Sequence, residues 1–113
     1  MSCLFCKMVN REIPIDPVYE DDELLAFRDI NPAAPTHILI IPKQHIATLN
    51  DLTPKTAHLI GKMVTKARDI ATEAGFAENG YRIVMNCNSD GGQSVYHIHL
   101  HLLGGRSLQW PPC

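Results

Sequence analysis

Three histidines at alternate positions near the C-terminal end of the chain are the residues best suited to chemistry. His97, His99 and His101 are separated by Ile98 and Leu100. Alternating polar and apolar residues predict a strand whose imidazoles share one face while the aliphatic side chains point into the core. Neighbouring histidines on that face would lie about 6.6 Å apart, twice the rise per residue. Such rings can act as nucleophiles, as proton donors or as metal ligands.

A glycine-containing loop, Gly-Gly-Gln-Ser at residues 91–94, directly precedes the histidines. Glycines such as Gly92 allow a tight turn and let backbone N–H groups approach an anion closely. Alternating histidines would also suit zinc or copper. A site that only binds a metal does not explain the adjacent loop, and coincidence is a poor explanation for three of six histidines within five residues. The combination favours phosphate chemistry.

Several strands and one long helix must position these residues. The helix is predicted over residues 52–75, with Thr53 as N-cap, Pro54 at its first position and Gly75 at its end. Its apolar residues repeat every three or four positions, which is typical of a helix packed on a core or at a dimer interface. Residues 3–10 indicate a short helix or turn. Strands are predicted at residues 18–19, 24–27, 35–42, 81–86 and 97–103, which indicates an α+β fold with an antiparallel sheet.

Length and composition indicate one modest domain. The chain has 113 residues, 45% of them hydrophobic, and a formal net charge of −2. A weakly acidic protein is poorly suited to general nucleic-acid binding. No apolar run approaches the ~20 residues needed to span a bilayer, and residues 1–10 do not read as a signal peptide. We therefore expect a cytoplasmic protein without nucleic-acid or membrane partners.

Three stretches together resemble the histidine triad (HIT) family. HIHLHLL at residues 97–103 is similar to the family signature, His-x-His-x-His followed by apolar residues. SDGGQSVYHIHLHLLGGR, DINPAAPTHILIIPKQHI and the closing WPP resemble the nucleotide-binding branch of the family, and the similarity runs from Phe5 to Pro112. The resemblance implies a single HIT domain over residues 1–113, with residues 107–113 as a tail. It also implies a five-stranded antiparallel sheet with one long and one short helix, and a homodimer with a continuous ten-stranded sheet.

The resemblance also assigns roles to residues outside the triad. It implies that Asp29 accepts hydrogen bonds from the ribose hydroxyls, that Ile30 holds the nucleoside and that Asn86 contacts the phosphate and ribose. It makes His37 a partner of the triad and places Trp110 near the active site of the partner subunit. Four of these residues also have a simpler explanation. Asp29 could cap a turn and Asn86 could form one, His37 could be a packed core histidine, and Trp110 could only cover an edge of the sheet.

Nucleophilic attack by an imidazole is the mechanism that these residues favour. A neutral imidazole, with an ordinary pKa of about 6.5, is a fair nucleophile at pH 7. His99 has a ring on either side and is assigned as the nucleophile that forms a nucleotidyl-histidine. His101 would hydrogen-bond the phosphoryl oxygens, Gln93 would orient the phosphate, and Ser94 would pass a proton to the leaving group. His97 would orient the site, hold zinc, or both.

The Cys-x-x-Cys motif of Cys3 and Cys6 has three interpretations: a redox pair, half of a zinc site, or two buried thiols. No strand precedes Cys3, which argues against a redox pair. A zinc site needs two more ligands, and His45 and His97 are candidates. Some branches of the superfamily bind zinc through such a set, so we predict Cys₂His₂ zinc and no organic cofactor. The other two cysteines, at positions 87 and 113, show no pattern of their own.

The resemblance implies a purine nucleoside phosphoramidase, which hydrolyses adenosine 5′-phosphoramidates and aminoacyl or lysyl adenylates to AMP. Two alternatives stay open. One is dinucleoside polyphosphate hydrolysis or nucleotidyl transfer, as in sister branches. The other is a largely non-catalytic, zinc-containing nucleotide-binding or interaction module. The GGQSV loop and the WPP tail favour the phosphoramidase.

Overall fold

The computed structural model describes residues 3–112. Residues 1 and 2 of the predicted domain, and Cys113 at the end of the predicted tail, therefore lie outside the described residues. Five strands form one antiparallel sheet in the order β1-β2-β3-β5-β4. The strands are β1 Tyr19–Glu20, β2 Leu24–Arg28, β3 Thr36–Pro42, β4 Arg82–Val84 and β5 Leu100–Gly104. The helices are α1 Leu4–Val9 and α2 His58–Ala74, with a 3₁₀ turn at Leu49–Asp51. The predicted α+β fold is confirmed.

Apolar residues run almost continuously along strands β2 and β3 and give the sheet two buried faces. Helix α2 covers one face, where Met63 and Ala67 pack on residues of β2, β3 and β5, among them Leu100 and Leu102. On the other face, Phe5 of α1 packs against residues of β2 and β3 that include Phe27 and Leu39. Because neighbouring residues of a strand point to opposite faces, the even positions of β5 face α2, and His101 faces α1.

The long helix begins later than predicted. Thr53 is not its N-cap: regular α-helix starts at His58, and Ala57 occupies the capping position without a side-chain hydrogen bond. The intervening residues form turns, in which the amides of Thr56 and Ala57 both bond the carbonyl of Thr53. The helix ends as predicted, with Gly75 in the left-handed region at φ 88°.

The histidine strand is shorter than the alternation predicts. Hydrogen-bonded strand begins at Leu100, so His101 lies in the ladder and His97 and His99 precede it. The amide of Ile98 instead bonds the Ile46 carbonyl at 2.8 Å, which draws this segment toward the loop after β3. Within residues 3–112, no helix is long and apolar enough to cross a membrane.

Candidate active site

A cleft of about 220 Å³ opens between α1, the ends of β2 and β3, and the segment that leads into β5. One end is polar and contains Asp29, Ser94, His99 and His101. The remainder is largely apolar, and its lining residues are Leu4, Phe5, Met8, Phe27, Arg28, Ile30, Leu39 and Val95. A pocket with an apolar wall and a few convergent polar groups is typical of a small-molecule site.

His99 is held in one tautomer by the backbone. Its Nδ1 lies 2.8 Å from the carbonyl oxygen of His97, and a carbonyl only accepts, so Nδ1 carries the proton and donates it. The Nε2 atom therefore keeps its lone pair. The ring is buried and stands edge-on to Phe5, with centroids 5.1 Å apart. A fixed ring with a free lone pair, in the wall of a cleft, is suited to nucleophilic attack.

His101 is positioned by His37 in β3. The Nδ1 atom of His37 accepts the Ala33 amide at 3.0 Å, so the proton of a neutral His37 is on Nε2, which lies 2.9 Å from Nδ1 of His101. His101 accepts this hydrogen bond at Nδ1, which favours the tautomer with its own N–H on Nε2. Burial, followed by the neighbouring His99 and His37, lowers the pKa of His101 to about 4. His101 is thus a neutral hydrogen-bond donor at pH 7.

His97 faces away from the cleft. Its ring is completely buried, and Nε2 donates to the carbonyl of Pro42 at 2.7 Å. The opposite atom, Nδ1, lies 3.4 Å from Sγ of Cys3 and 3.3 Å from Nδ1 of His45. All three triad rings lie on the α1 side of the sheet, because Phe5 contacts His97 and His99 and the latter contacts His101. Of the three, His97 alone is absent from the lining of the cleft, and it acts on His99 through its carbonyl.

The predicted zinc ligands form a cluster beside the cleft. Cys3, Cys6, His45 and His97 each offer one ligand atom, and these atoms all lie within 4.8 Å of one another. Two sulfurs and two imidazole nitrogens are a donor set that zinc prefers. His97 also fits in detail, because a metal-binding histidine usually donates its second N–H to a carbonyl or carboxylate. Burial raises the pKa of the Cys6 thiol to about 11. These residues fit a structural zinc ion.

A second cluster of possible ligands does not fit a metal. Asp29, His37 and His101 also bring ligand atoms within 4.8 Å of one another. The Nδ1 atom of His37, however, accepts the Ala33 amide, so a metal at Nε2 would displace the only ring proton and leave an imidazolate. We interpret this group as a hydrogen-bonded relay.

Asp29 and Ile30 lie at the mouth of the cleft, as the sequence predicts for nucleoside contacts. The Oδ1 atom of Asp29 accepts the Asn31 amide at 2.8 Å and closes the turn after β2. Its Oδ2 atom lies 3.5 Å from Nε2 of His37. The side chain of Ile30 is 91% exposed and lines the cleft, where a bound ligand would cover it.

The loop before β5 is held by its own side chains. The amide group of Gln93 donates to the carbonyls of Ala47 and Val95, and its oxygen accepts the amide of Asn88. Gln93 is buried, and these bonds use all of its polar atoms for the loop, so it does not point into the cleft as its predicted contact with phosphate would require. Ser94 is exposed and lines the cleft.

Three residues predicted to contact the nucleotide lie outside the lining of the cleft. Asn86 donates to the carbonyl of Gly91 at 2.6 Å and so closes the same loop. Gly92 has a φ of 81°, which its lack of a side chain permits. Trp110 is 78% exposed, and the guanidinium of Arg82 lies 5.8 Å from its ring. Their assignments to the nucleotide stay predictions.

The apolar wall is the part of the site that sequence reasoning missed. Leu4, Phe5 and Met8 belong to the predicted short helix or turn, and Phe27 and Leu39 belong to predicted strands. No spacing in the sequence shows that α1 lies across the ends of β2 and β3 and turns these side chains toward His99. Only the long-range packing creates the wall.

A family model of the HIT domain matches residues 10–108. The chain belongs to the HIT family. A purine nucleoside phosphoramidase of Escherichia coli is 57% identical over 105 residues, which cover 93% of this chain and 88% of that protein. The crystal structure of a HIT family hydrolase from Legionella pneumophila is 56% identical, with a TM-score of 0.96 over 99% of this chain and 100% of that one.

A third HIT relative bears on the metal cluster. The structure of a zinc-bound histidine triad protein from Mycobacterium smegmatis is 36% identical, with a TM-score of 0.81, and the match covers 94% of this chain and 76% of that one.

Proposed function

We propose that this HIT protein is a purine nucleoside phosphoramidase, which cleaves the phosphorus–nitrogen bond of adenosine 5′-phosphoramidates and aminoacyl or lysyl adenylates to give AMP. The observation that carries the proposal is the Nδ1–H of His99 bonded to the carbonyl of His97, which leaves the lone pair of Nε2 for attack. The identity of 57% to a purine nucleoside phosphoramidase supports the same reaction.

The cleft accommodates a nucleotide in one orientation. The apolar wall, with Phe27 and the exposed Ile30, is suited to a purine ring. Asp29 offers carboxylate oxygens to the two ribose hydroxyls, which are hydrogen-bond donors. The phosphate then lies at the polar end with Ser94, His99 and His101.

In the first step, Nε2 of His99 attacks phosphorus and the bond from phosphorus to the amine breaks. The Nε2–H of His101 donates to a phosphoryl oxygen, where negative charge develops, and remains on the ring because His101 is neutral. The departing amine takes a proton, which we assign to Ser94 as the donor. In the second step, water displaces His99 from phosphorus and its proton returns to the Ser94 oxygen, so that AMP is released and the His99 imidazole and the Ser94 hydroxyl are restored.

We further propose that Cys3, Cys6, His45 and His97 hold a structural zinc ion. When bound, the ion would tie the start of α1 to the loop after β3 and to the segment that leads into β5. His97 itself needs no catalytic contact, because its carbonyl already orients His99.

The assembly and cellular location are also proposals. Strand β4 is at the edge of the sheet, and Tyr81 and Ile83 there are more than one-third exposed. Pairing of this edge with a second copy would give the ten-stranded sheet and bring the tail with Trp110 to the partner subunit's cleft. Cys3, Cys6 and Cys87 are free thiols, which supports a reducing compartment such as the cytoplasm.

The decisive test is His99→Ala, which should abolish turnover of adenosine phosphoramidates while AMP still binds by calorimetry. His58→Ala is the matched control, because His58 is an exposed histidine that bonds Glu23 far from the cleft. In the native enzyme, rapid quench and peptide mass spectrometry should show AMP on the peptide with His99. Turnover by the His99 variant at the native rate would refute the mechanism. A panel that includes dinucleoside polyphosphates would then identify the preferred leaving group.

A further inference from the structure

Asp29 lies at the point where the proposed ribose site meets the histidine relay. It lines the cleft, and one carboxylate oxygen is already used by the Asn31 amide. The other oxygen, Oδ2, lies 3.5 Å from Nε2 of His37. The side chain that receives the ribose hydroxyls is thus next to the nitrogen that positions His101.

The single ring proton of neutral His37 faces two acceptors. Because Nδ1 accepts from Ala33, the proton is on Nε2. In the structure it is donated to Nδ1 of His101 at 2.9 Å, and Oδ2 of Asp29 lies 3.5 Å away, within reach of the same proton. The carboxylate is charged and is the stronger acceptor of the two. The two acceptors therefore compete for one donor.

That competition affects catalysis because a neutral imidazole has two tautomers. Only the tautomer of His101 with its proton on Nε2 can donate to a phosphoryl oxygen from the cleft side of the ring. That tautomer is favoured when His37 donates to Nδ1 of His101. Any sharing with Asp29 weakens the preference.

We propose that Asp29 is a positioning residue that couples ribose recognition to the catalytic state of His101. Ribose hydroxyls that donate to Asp29 reduce its strength as an acceptor, so the Nε2–H of His37 donates its hydrogen bond to His101 alone, and His101 is fixed as an Nε2–H donor. A nucleotide with both hydroxyls thereby completes the site that acts on its own phosphate. This inference rests on the phosphoramidase function and the placement of the ribose at Asp29 proposed above.

The kinetic test compares two phosphoramidates that differ only at the sugar, an adenosine and a 2′,3′-dideoxyadenosine derivative. If Asp29 only binds ribose, the dideoxy substrate should have a higher KM and an unchanged kcat. Coupling predicts a kcat about 10-fold lower at saturation, at the low end of the effects seen when partners of functional histidines are removed. An equal kcat for the two substrates overturns the proposal.

Variants of His37 sharpen this test. In His37→Gln the side-chain amide has two N–H donors, so it can satisfy Asp29 and His101 together and the competition disappears. The ratio of kcat between the two substrates should then fall toward one. His37→Phe offers no donor and should lower kcat for both substrates. The control is His58→Ala, in which the ratio should equal that of the native enzyme. A ratio unchanged in His37→Gln contradicts the coupling.

A spectroscopic measurement separates this inference from the proposed function. In ¹⁵N-histidine-labelled protein, the Nδ1 and Nε2 shifts of His101 report its tautomer directly. Saturating AMP should shift His101 toward the Nε2–H form, and saturating 2′,3′-dideoxy-AMP should not. Identical spectra with the two ligands overturn the coupling even if the enzyme is active. If no phosphoramidate is turned over, the proposed function fails, and the spectra still decide whether ribose controls His101.

Discussion

Loading the Cys₂His₂ cluster with zinc should release about two protons per ion at pH 7.5. A zinc-bound cysteine is a thiolate, whereas free thiols are mostly protonated at this pH. Cys6 in particular starts as a thiol, because burial raises its pKa to about 11. Histidine binds as a neutral imidazole, and burial lowers the pKa of His97, so this ring has no proton to lose. Two thiols and no imidazolium give a stoichiometry close to two.

The measurement is calorimetric titration of chelator-treated protein with zinc in two buffers of different ionisation enthalpy. The slope of the observed enthalpy against buffer enthalpy gives the number of protons released. Cys3→Ser should lower both the proton count and the affinity. Cys87→Ser should change neither, because Cys87 is not in the cluster.

One outcome of the same titration would refute the prediction. Zinc bound by the histidines of the triad alone would release almost no protons, and a slope near zero would show that the cluster does not hold the ion. Zinc should also raise the melting temperature. At a free concentration of 1,000 Kd, binding stabilises the fold by ~4 kcal/mol, which corresponds to roughly 15 °C for a domain of this size.

Three further predictions test the packing and titration of the site. Phe5→Leu should lower the free energy of unfolding by ~1 kcal/mol in urea denaturation and should lower kcat as well, because the Phe5 ring supports that of His99. Gly61→Ala should stabilise α2 by ~0.5–1 kcal/mol, because the new methyl group meets open space. Gly104→Ala should destabilise the protein, because its Cβ would lie 2.6 Å or less from the Phe76 ring. Urea denaturation of the two variants should therefore show changes of opposite sign in the free energy of unfolding. Burial lowers the pKa of His101 to about 4 in the folded protein, below the unfolded value near 6.5. The contribution of this ring to stability is therefore complete above pH 6.5 and is lost as pH falls toward 4. His101→Gln should flatten the pH dependence of the unfolding free energy over that window.

Local patterns in the sequence predict much of the fold. The apolar runs in residues 24–27 and 35–42 predict β2 and β3 almost to the residue, because a central strand that is buried on both faces needs apolar side chains at consecutive positions. The start of α2 is predicted wrongly, because Thr53 and Pro54 are good capping residues by type while the chain there makes tight turns first. Capping preferences act over one turn of helix and carry no information on the packing of the preceding loop.

The chemistry of the site is predictable by residue type but not by atom. The sequence predicts His99 as the nucleophile and predicts four zinc ligands, and it leaves open whether His97 serves the metal or the reaction. The structure answers this at the level of single atoms, because Nδ1 of His97 faces the cluster and its carbonyl bonds His99. No sequence pattern encodes which ring nitrogen faces which partner. For the same reason, the sequence does not show that the side chain of Gln93 bonds the carbonyl of Ala47 and does not face the cleft.

The position of α1 has a practical consequence for handling the protein. The family match begins at residue 10, yet Leu4 and Phe5 already line the cleft. A fragment trimmed to the matched region would retain all five strands and lose one wall of the pocket. An affinity tag fused at the N-terminus would begin within a few residues of Leu4, next to the opening through which ligands enter. Kinetic work should therefore use a cleavable N-terminal tag or a C-terminal tag, compared with untagged material.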